Sequence, residues 1–213
     1  MKVFGITGWK NSGKTHLMER LVAEFKNRNL TVSTIKNAHH GFDVDQPGKD
    51  SFRHRQAGAH EVLIASEKRW VLMHENTADL KPSLTNLFKK LSKVDLVLIE
   101  GFKQDKHPKI EVVRQHRGQR LIAESDPTIL AVATDIELTI DKTCLDLNNT
   151  KDIANFIGIH LELLPPCCSR LVSPFHTFSK GTCEGCDLYL PFNQLRNSKY
   201  RILSNSAKSF KLC

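Results

Sequence analysis

Gly8-Trp9-Lys10-Asn11-Ser12-Gly13-Lys14-Thr15 limits what this chain can fold into more than any other stretch. It fits Gly-x-x-x-x-Gly-Lys-[Ser/Thr], the P-loop pattern whose backbone N–H groups curl around a phosphate. The flanking residues agree with it. Lys2–Thr7 reads as an apolar strand, and His16–Arg28 carries Leu17, Met18, Leu21, Val22 and Phe25 at helical spacing on one face. Glycine is needed where a Cβ would obstruct the curl, and the following helix offers its positive end to the same anion. A chance match in a loop is the competing explanation, and the strand before and helix after argue against it. The nucleotide-binding set is therefore Gly8, Lys10, Asn11, Ser12, Gly13, Lys14, Thr15 and His16. Lys14 is expected to reach the β- and γ-phosphates, and the Thr15 hydroxyl to hold Mg²⁺.

Beyond the loop, apolar runs alternate with helical segments as far as residue 160, which predicts an α/β domain around a mostly parallel sheet flanked by helices. Strands are expected at Leu30–Ile35, Leu96–Ile99, Ile110–Val113, Thr128–Ala133 and Leu145–Leu147. Helices are expected at Lys49–Ala57, Pro82–Leu91 and Lys151–Ile157. Glu61–Ala65 and Trp70–Met73, separated by Ser66-Glu67-Lys68-Arg69, read as a hairpin. Pro165-Pro166 marks a boundary between a nucleotide-binding domain over 1–164 and a basic, Cys-containing C-terminal extension over 165–213.

A nucleotide with Mg²⁺ needs a carboxylate near the cation, at the tip of a neighbouring buried strand. Glu100 ends the apolar run Leu96–Ile99, and Gly101 lets the backbone turn beside it. The plain alternative is a strand-end charge facing water. His39-His40-Gly41-Phe42-Asp43-Val44-Asp45 follows the second strand, on the side where open α/β sheets bind ligands. His39, His40, Asp43 and Asp45 are candidate substrate contacts, with a solvated loop as the competing reading. Arg53 and Arg55 are two apart on a helix and cannot share a face, so at most one aims at the site. Asp135, at the end of Ala131-Val132-Ala133-Thr134, is a candidate acceptor for a guanine edge, although a lone strand-end Asp is a weak signal.

Composition excludes several classes. With 213 residues, 40% hydrophobic and 25% charged, the chain has enough length to bury a core and enough apolar residues not to be disordered. No apolar run approaches the roughly 20 residues of a spanning helix. Gly5, Gly8 and Lys10-Asn11-Ser12 interrupt the N-terminal stretch too early for a signal peptide, so a cytoplasmic address is expected. The net charge is +8, and Arg196, Lys199, Arg201, Lys208 and Lys211 contribute to it in a tail that lacks carboxylates after residue 187. That tail carries no base-reading motif, so nucleic acid is not the expected partner. Of six cysteines, Cys167, Cys168, Cys183 and Cys186 offer four thiolates to a zinc ion. Adjacent cysteines rarely share one metal and a second C-x-x-C is missing, so free thiols are favoured over zinc.

In order along the chain stand the P-loop, His39-His40-Gly41, Pro47-Gly48-Lys49-Asp50-Ser51, Arg53-His54-Arg55, Ala57-Gly58-Ala59 and Leu98-Ile99-Glu100-Gly101-Phe102-Lys103. Together they resemble the molybdopterin-guanine dinucleotide biosynthesis adaptor proteins of the MobB type, over roughly residues 1–160. The resemblance implies a P-loop NTPase fold and a homodimer that binds GTP with feeble GTPase activity at most. It implies an accessory role to the guanylyltransferase that joins GMP to molybdenum-bound molybdopterin, with molybdenum-insertion proteins as further partners. It places Gly13, Lys14 and Thr15 on the phosphates and the His39–Asp50 region near the cleft. Glu100 becomes a Mg²⁺ or water-positioning residue, and Glu100 and Asp50 the catalytic candidates. His16 departs from the family, which commonly has a second Thr there, and the tail beyond Pro165 lies outside the resemblance. Lys10 is not at the position of the signature lysine of deviant P-loop ATPases, so it takes no cross-subunit role. A small-molecule kinase or ligase using the same cradle is the alternative function.

Overall fold

A computed structural model of the chain describes residues 1–38, 41–76, 82–114 and 120–164, together with the backbone of two short strands beyond them. The strands are β1 (Lys2–Thr7), β2 (Val32–Lys36), β3 (Glu61–Ala65), β4 (Trp70–His74), β5 (Leu96–Glu100), β6 (Lys109–Val113), β7 (Ile129–Thr134) and β8 (Thr143–Asp146). The helices are α1 (Lys14–Asn27), α2 (Asp50–Gln56), α3 (Leu84–Phe88) and α4 (Thr150–His160), with a 3-10 turn at Ile122–Glu124. Six strands form one sheet in the order β2-β5-β1-β6-β7-β8, and every pairing in it is parallel. The strand that feeds the P-loop thus lies inside the sheet, between β5 and β6.

Alternation along the strands divides the core into two layers, because successive side chains leave a strand on opposite faces. Leu96 and Leu98 join Phe4, Ile6, Leu17, Leu21, Phe25, Ile153 and Ile157, so α1 and α4 cover one face. Val97 and Ile99 turn to the other face, against Leu84 of α3 and Phe102. Val113, Val132 and Ile129 extend that second face against Leu121 and Ala123. Each fully buried Phe or Leu contributes about 1.5–3 kcal/mol relative to exposure. The helical stripe read from α1 is its buried face: Leu17, Met18, Leu21 and Phe25.

Of two buried polar groups on the second face, Glu111 is hydrogen-bonded, whereas both ring nitrogens of His107 lack a partner among the described residues. The Glu111 carboxylate accepts from the N–H groups of Ile122 (3.1 Å) and Ala123 (2.8 Å), so it caps the 3-10 turn from a distant strand. Burial raises its pKa above the ordinary carboxylate range. His107 is buried against Gly5, where an added Cβ would come within 2.7 Å of its Cδ2. Burial lowers the His107 pKa to about 4, so the ring is neutral at physiological pH.

Several boundaries differ from the periodicity reading. The expected helix over Pro82–Leu91 is regular only over Leu84–Phe88. Its continuation tightens to i→i−3 bonds, Lys90 N–H to Leu87 O and Leu91 N–H to Phe88 O. The Ser83 side chain accepts from Asn86 N–H and starts the helix after Pro82. α4 starts at Thr150, where the Asn149 side chain accepts from Asp152 N–H, and it runs past Ile157 to His160. β3 and β4 form a separate antiparallel ribbon with Leu63 opposite Leu72 and Ile64 opposite Val71. In the extension, Phe178–Ser179 and Thr182–Cys183 pair antiparallel. The four-cysteine zinc set and the His39-His40 pair lie outside the residues whose side chains are described.

Candidate functional site

The P-loop leaves β1 at Thr7 and closes through three left-handed or positive-φ positions. Gly8 (φ 140) is buried against β6, where a Cβ would meet the Val112 carbonyl oxygen at 2.5 Å. Asn11 (φ 65) turns the chain, and Ser12 N–H donates to Trp9 O at 3.3 Å. Gly13 (φ 93) then caps α1 without a side-chain hydrogen bond, and the first turn of α1 has no acidic residue. The first N–H groups of a fourteen-residue helix are left for an anion, and the loop supplies more of them.

Lys14 lies over this turn, its Nζ donating to Trp9 O at 2.6 Å. Thr15 Oγ1 donates to Glu100 Oε1 at 3.0 Å, joining residues 85 apart in sequence. The parallel register explains the meeting: Glu100 pairs with Ile6, two residues before the loop begins. Gly101 (φ 91) then turns sharply, held by its N–H to Ile6 O at 3.0 Å. A hydroxyl beside a carboxylate is the sparse oxygen set that Mg²⁺ takes at a nucleotide site, where phosphates and waters complete the shell. The residues present fit that ion. Held by Thr15 and Glu100, it would offset the negative charge of the phosphates.

Positive charge gathers around the turn. Lys36, at the end of β2, lies 3.9 Å from Glu100 Oε1. The Lys103 ammonium sits 4.1 Å from the centroid of the Trp9 ring, while the indole N–H donates to Arg120 O at 3.1 Å. Burial, chiefly, lowers the Lys14 pKa; Glu100 opposes the shift, and Lys103 and Lys36 add to it. A bound phosphate would reverse the cost of crowding these cations. A cleft of about 460 Å³ opens beside Thr15 and Glu100, walled by Met18, Val22 and Ile35.

Other sequence candidates are placed less directly. Lys10 and His16 are exposed at the loop and in the first turn of α1. Asp135 stands at the tip of β7, but its carboxylate is 3.1 Å from Arg114 Nε, and the Arg114 guanidinium passes beside Gly13. Asp43 is held by Arg55 at 2.8 Å, and Asp45 accepts from Ser51 Oγ at 2.8 Å. Arg55 also reaches Glu75 at 3.1 Å, so these groups tie the loop to α2. Asp50 is exposed at the start of α2, and no described hydrogen bond or ion pair joins it to the phosphate loop. The residues the periodicity and motif reading did not assign to the site are Lys36, Trp9, Lys103 and Arg114. Lys103 was within the Leu98–Lys103 motif, whereas Arg114 carried no local signal, because its role depends on β6 lying next to β1.

Known proteins of similar sequence and fold identify the family. The family described as molybdopterin guanine dinucleotide synthesis protein B, MobB, matches residues 3–135. A Haemophilus influenzae protein named molybdopterin-guanine dinucleotide biosynthesis adapter protein is 45% identical over 157 residues, covering 73% of this chain and 86% of that protein. Its Escherichia coli namesake is 37% identical over 160 residues, covering 73% of this chain and 90% of that protein. A crystal structure of molybdopterin-guanine biosynthesis protein B superposes with a TM-score of 0.60 at 28% identity, over 76% of this chain and 99% of that one. Bacillus subtilis MobB, at 21% identity and a TM-score of 0.56, shares the fold over 78% of this chain and 99% of its own. With the loop, the Thr15–Glu100 pair and the sheet order in place, the chain belongs to the MobB family of molybdopterin guanine dinucleotide synthesis proteins.

Proposed function

We propose that this chain is a GTP-binding adaptor that assists the formation of molybdopterin guanine dinucleotide, with weak GTPase activity at most. The observation that carries the reading is the Thr15 hydroxyl on the Glu100 carboxylate beside the P-loop, in a chain of this family. Lys14 holds the β- and γ-phosphates, the backbone from Gly8 to Thr15 cradles them, and Thr15 and Glu100 hold Mg²⁺. Weak turnover suits the pairing of Arg114 with Asp135, because a guanidinium already neutralised stabilises less transition-state charge. A guanine edge at Asp135 would have to displace that arginine. In this reading a guanylyltransferase is the working partner. No described helix is long and apolar enough to cross a membrane, which suits a cytoplasmic adaptor.

The test is reconstitution. Added to a guanylyltransferase with GTP, Mg²⁺ and molybdopterin, the protein is expected to accelerate dinucleotide formation and to bind GTP more tightly than ATP. Equal affinity for the two nucleotides, with no acceleration, would sink the adaptor reading. Stoichiometric phosphorylation of a metabolite would establish a kinase instead.

The homodimer belongs to the same proposal, and the β3–β4 ribbon supports it. An isolated two-stranded ribbon is marginal in water. This one leaves Leu63 60%, Ile64 42% and Trp70 65% exposed, on both faces of the pair. A second copy of the chain is the occupant proposed for this surface. Ile64→Asp is expected to convert a dimer into a monomer in light scattering without lowering helix content. A wild-type protein that is monomeric at micromolar concentration would refute it.

A further inference from the structure

We propose that Lys103 is a second phosphate-binding cation of this site, held on the Trp9 ring and recruited to the terminal phosphate of a bound nucleoside triphosphate. The inference rests on the nucleotide-binding reading above. It assigns the residue that distinguishes a triphosphate from a diphosphate.

The backbone after β5 is shaped to aim this side chain. Gly101 (φ 91) and Phe102 (φ 48) are consecutive left-handed residues. Left-handed geometry is costly for a bulky residue and persists only where packing enforces it. Phe102 is 7% exposed and packs with Val97, Ile99 and Leu84, so the core maintains the turn. The next side chain, Lys103, is thereby returned over the P-loop instead of continuing away from the sheet. Its ammonium rests 4.1 Å from the centroid of Trp9, a residue of the loop itself. The indole N–H donates to Arg120 O at 3.1 Å, which orients the ring.

Charge balance points to an anion at the same place. Lys103 and Lys36 both act on Lys14, and Glu100 is the carboxylate beside Lys14 and Lys36. Glu111 attracts Lys103, but its oxygens already accept from Ile122 and Ala123 N–H. Partial burial lowers the Lys103 pKa, a cost that a phosphate oxygen would reverse. A cation on an aromatic face is weakly held compared with a charge-assisted hydrogen bond. Moving the ammonium from the ring to a terminal phosphate oxygen would exchange the weaker contact for the stronger.

The experiment measures GTP and GDP affinities in Mg²⁺ for wild type, Lys103→Met and Lys103→Arg. Lys103→Met is expected to lose about tenfold or more in GTP affinity, with GDP changed less than about twofold. Lys103→Arg is expected to retain most of the GTP preference. Trp70→Phe leaves Trp9 as the sole tryptophan of two. In that background GTP is expected to shift Trp9 emission, and the shift should vanish in Lys103→Met. If Lys103 merely braced Trp9, Lys103→Met would weaken GTP and GDP equally, and that result overturns the proposal. An unchanged GTP-to-GDP ratio in a folded Lys103→Met protein overturns it alone. A wild-type protein that binds neither nucleotide overturns both this proposal and the function on which it rests.

Discussion

Lys14→Ala is expected to lower GTP affinity by roughly two orders of magnitude, about 3 kcal/mol, in equilibrium titration. The ammonium now rests on Trp9 O at 2.6 Å, close enough to exchange that carbonyl for phosphate oxygens. Its removal takes away the cation of the P-loop signature position and leaves the N–H cradle, Mg²⁺ and the neighbouring cations to hold the phosphates. The fold should persist, because Lys14 is a helix-start residue outside the buried clusters. The pH dependence follows from the same group. Burial, chiefly, lowers the Lys14 pKa from 10.5. A bound anion favours the protonated form, so affinity is full below the lowered value and is lost as pH rises through it. The decline should begin at lower pH than for a free lysine and disappear in Lys14→Ala. Unaltered GTP binding by Lys14→Ala would mean that the loop does not hold the phosphates.

Gly8→Ala is expected to destabilise the protein itself, by about 3 kcal/mol, with a fall of roughly 6–12 °C in Tm. Two effects add. At φ 140 an alanine pays a backbone cost that glycine does not. Its Cβ would also stand 2.5 Å from the Val112 carbonyl oxygen, so β6 must shift. Gly58→Ala separates the two effects, since Gly58 has φ 97 and open space around it. Gly58→Ala should therefore cost only the backbone part, about 1 kcal/mol. Thermal and denaturant unfolding without nucleotide measures both variants. Equal midpoints for Gly8→Ala and wild type would show that the loop relaxes freely, against the close approach to β6.

Features whose cause and effect lie in a single stretch are legible in the sequence. The Gly8–Thr15 loop is legible because glycine positions and the Lys-Thr pair report a backbone shape. α1 is legible because Leu17, Leu21 and Phe25 repeat at the helical period. The continuous apolar run before Glu100 betrays a strand buried on both faces. The 3-10 turn at Ile122–Glu124 escaped notice, because its capping carboxylate, Glu111, comes from another strand. The sequence offers Asp43 and Asp45 as candidate substrate contacts, whereas in the fold Arg55 and Ser51 engage them across a loop and a helix.

The sequence by itself determined the phosphate loop, the helix behind it, the alternating α/β character and the carboxylate at the end of a buried strand. Tertiary structure alone decided which strands are neighbours. Parallel pairing joins segments far apart along the chain, and nothing in β1 specifies that β5 and β6 flank it. That order brings Glu100 onto Thr15, sets Lys36 beside Glu100 and passes Arg114 beside Gly13. Steric rules and periodicity act over a few residues and can be read from one stretch. The arrangement of charge around the phosphates depends on packing between stretches, which only the folded sheet supplies.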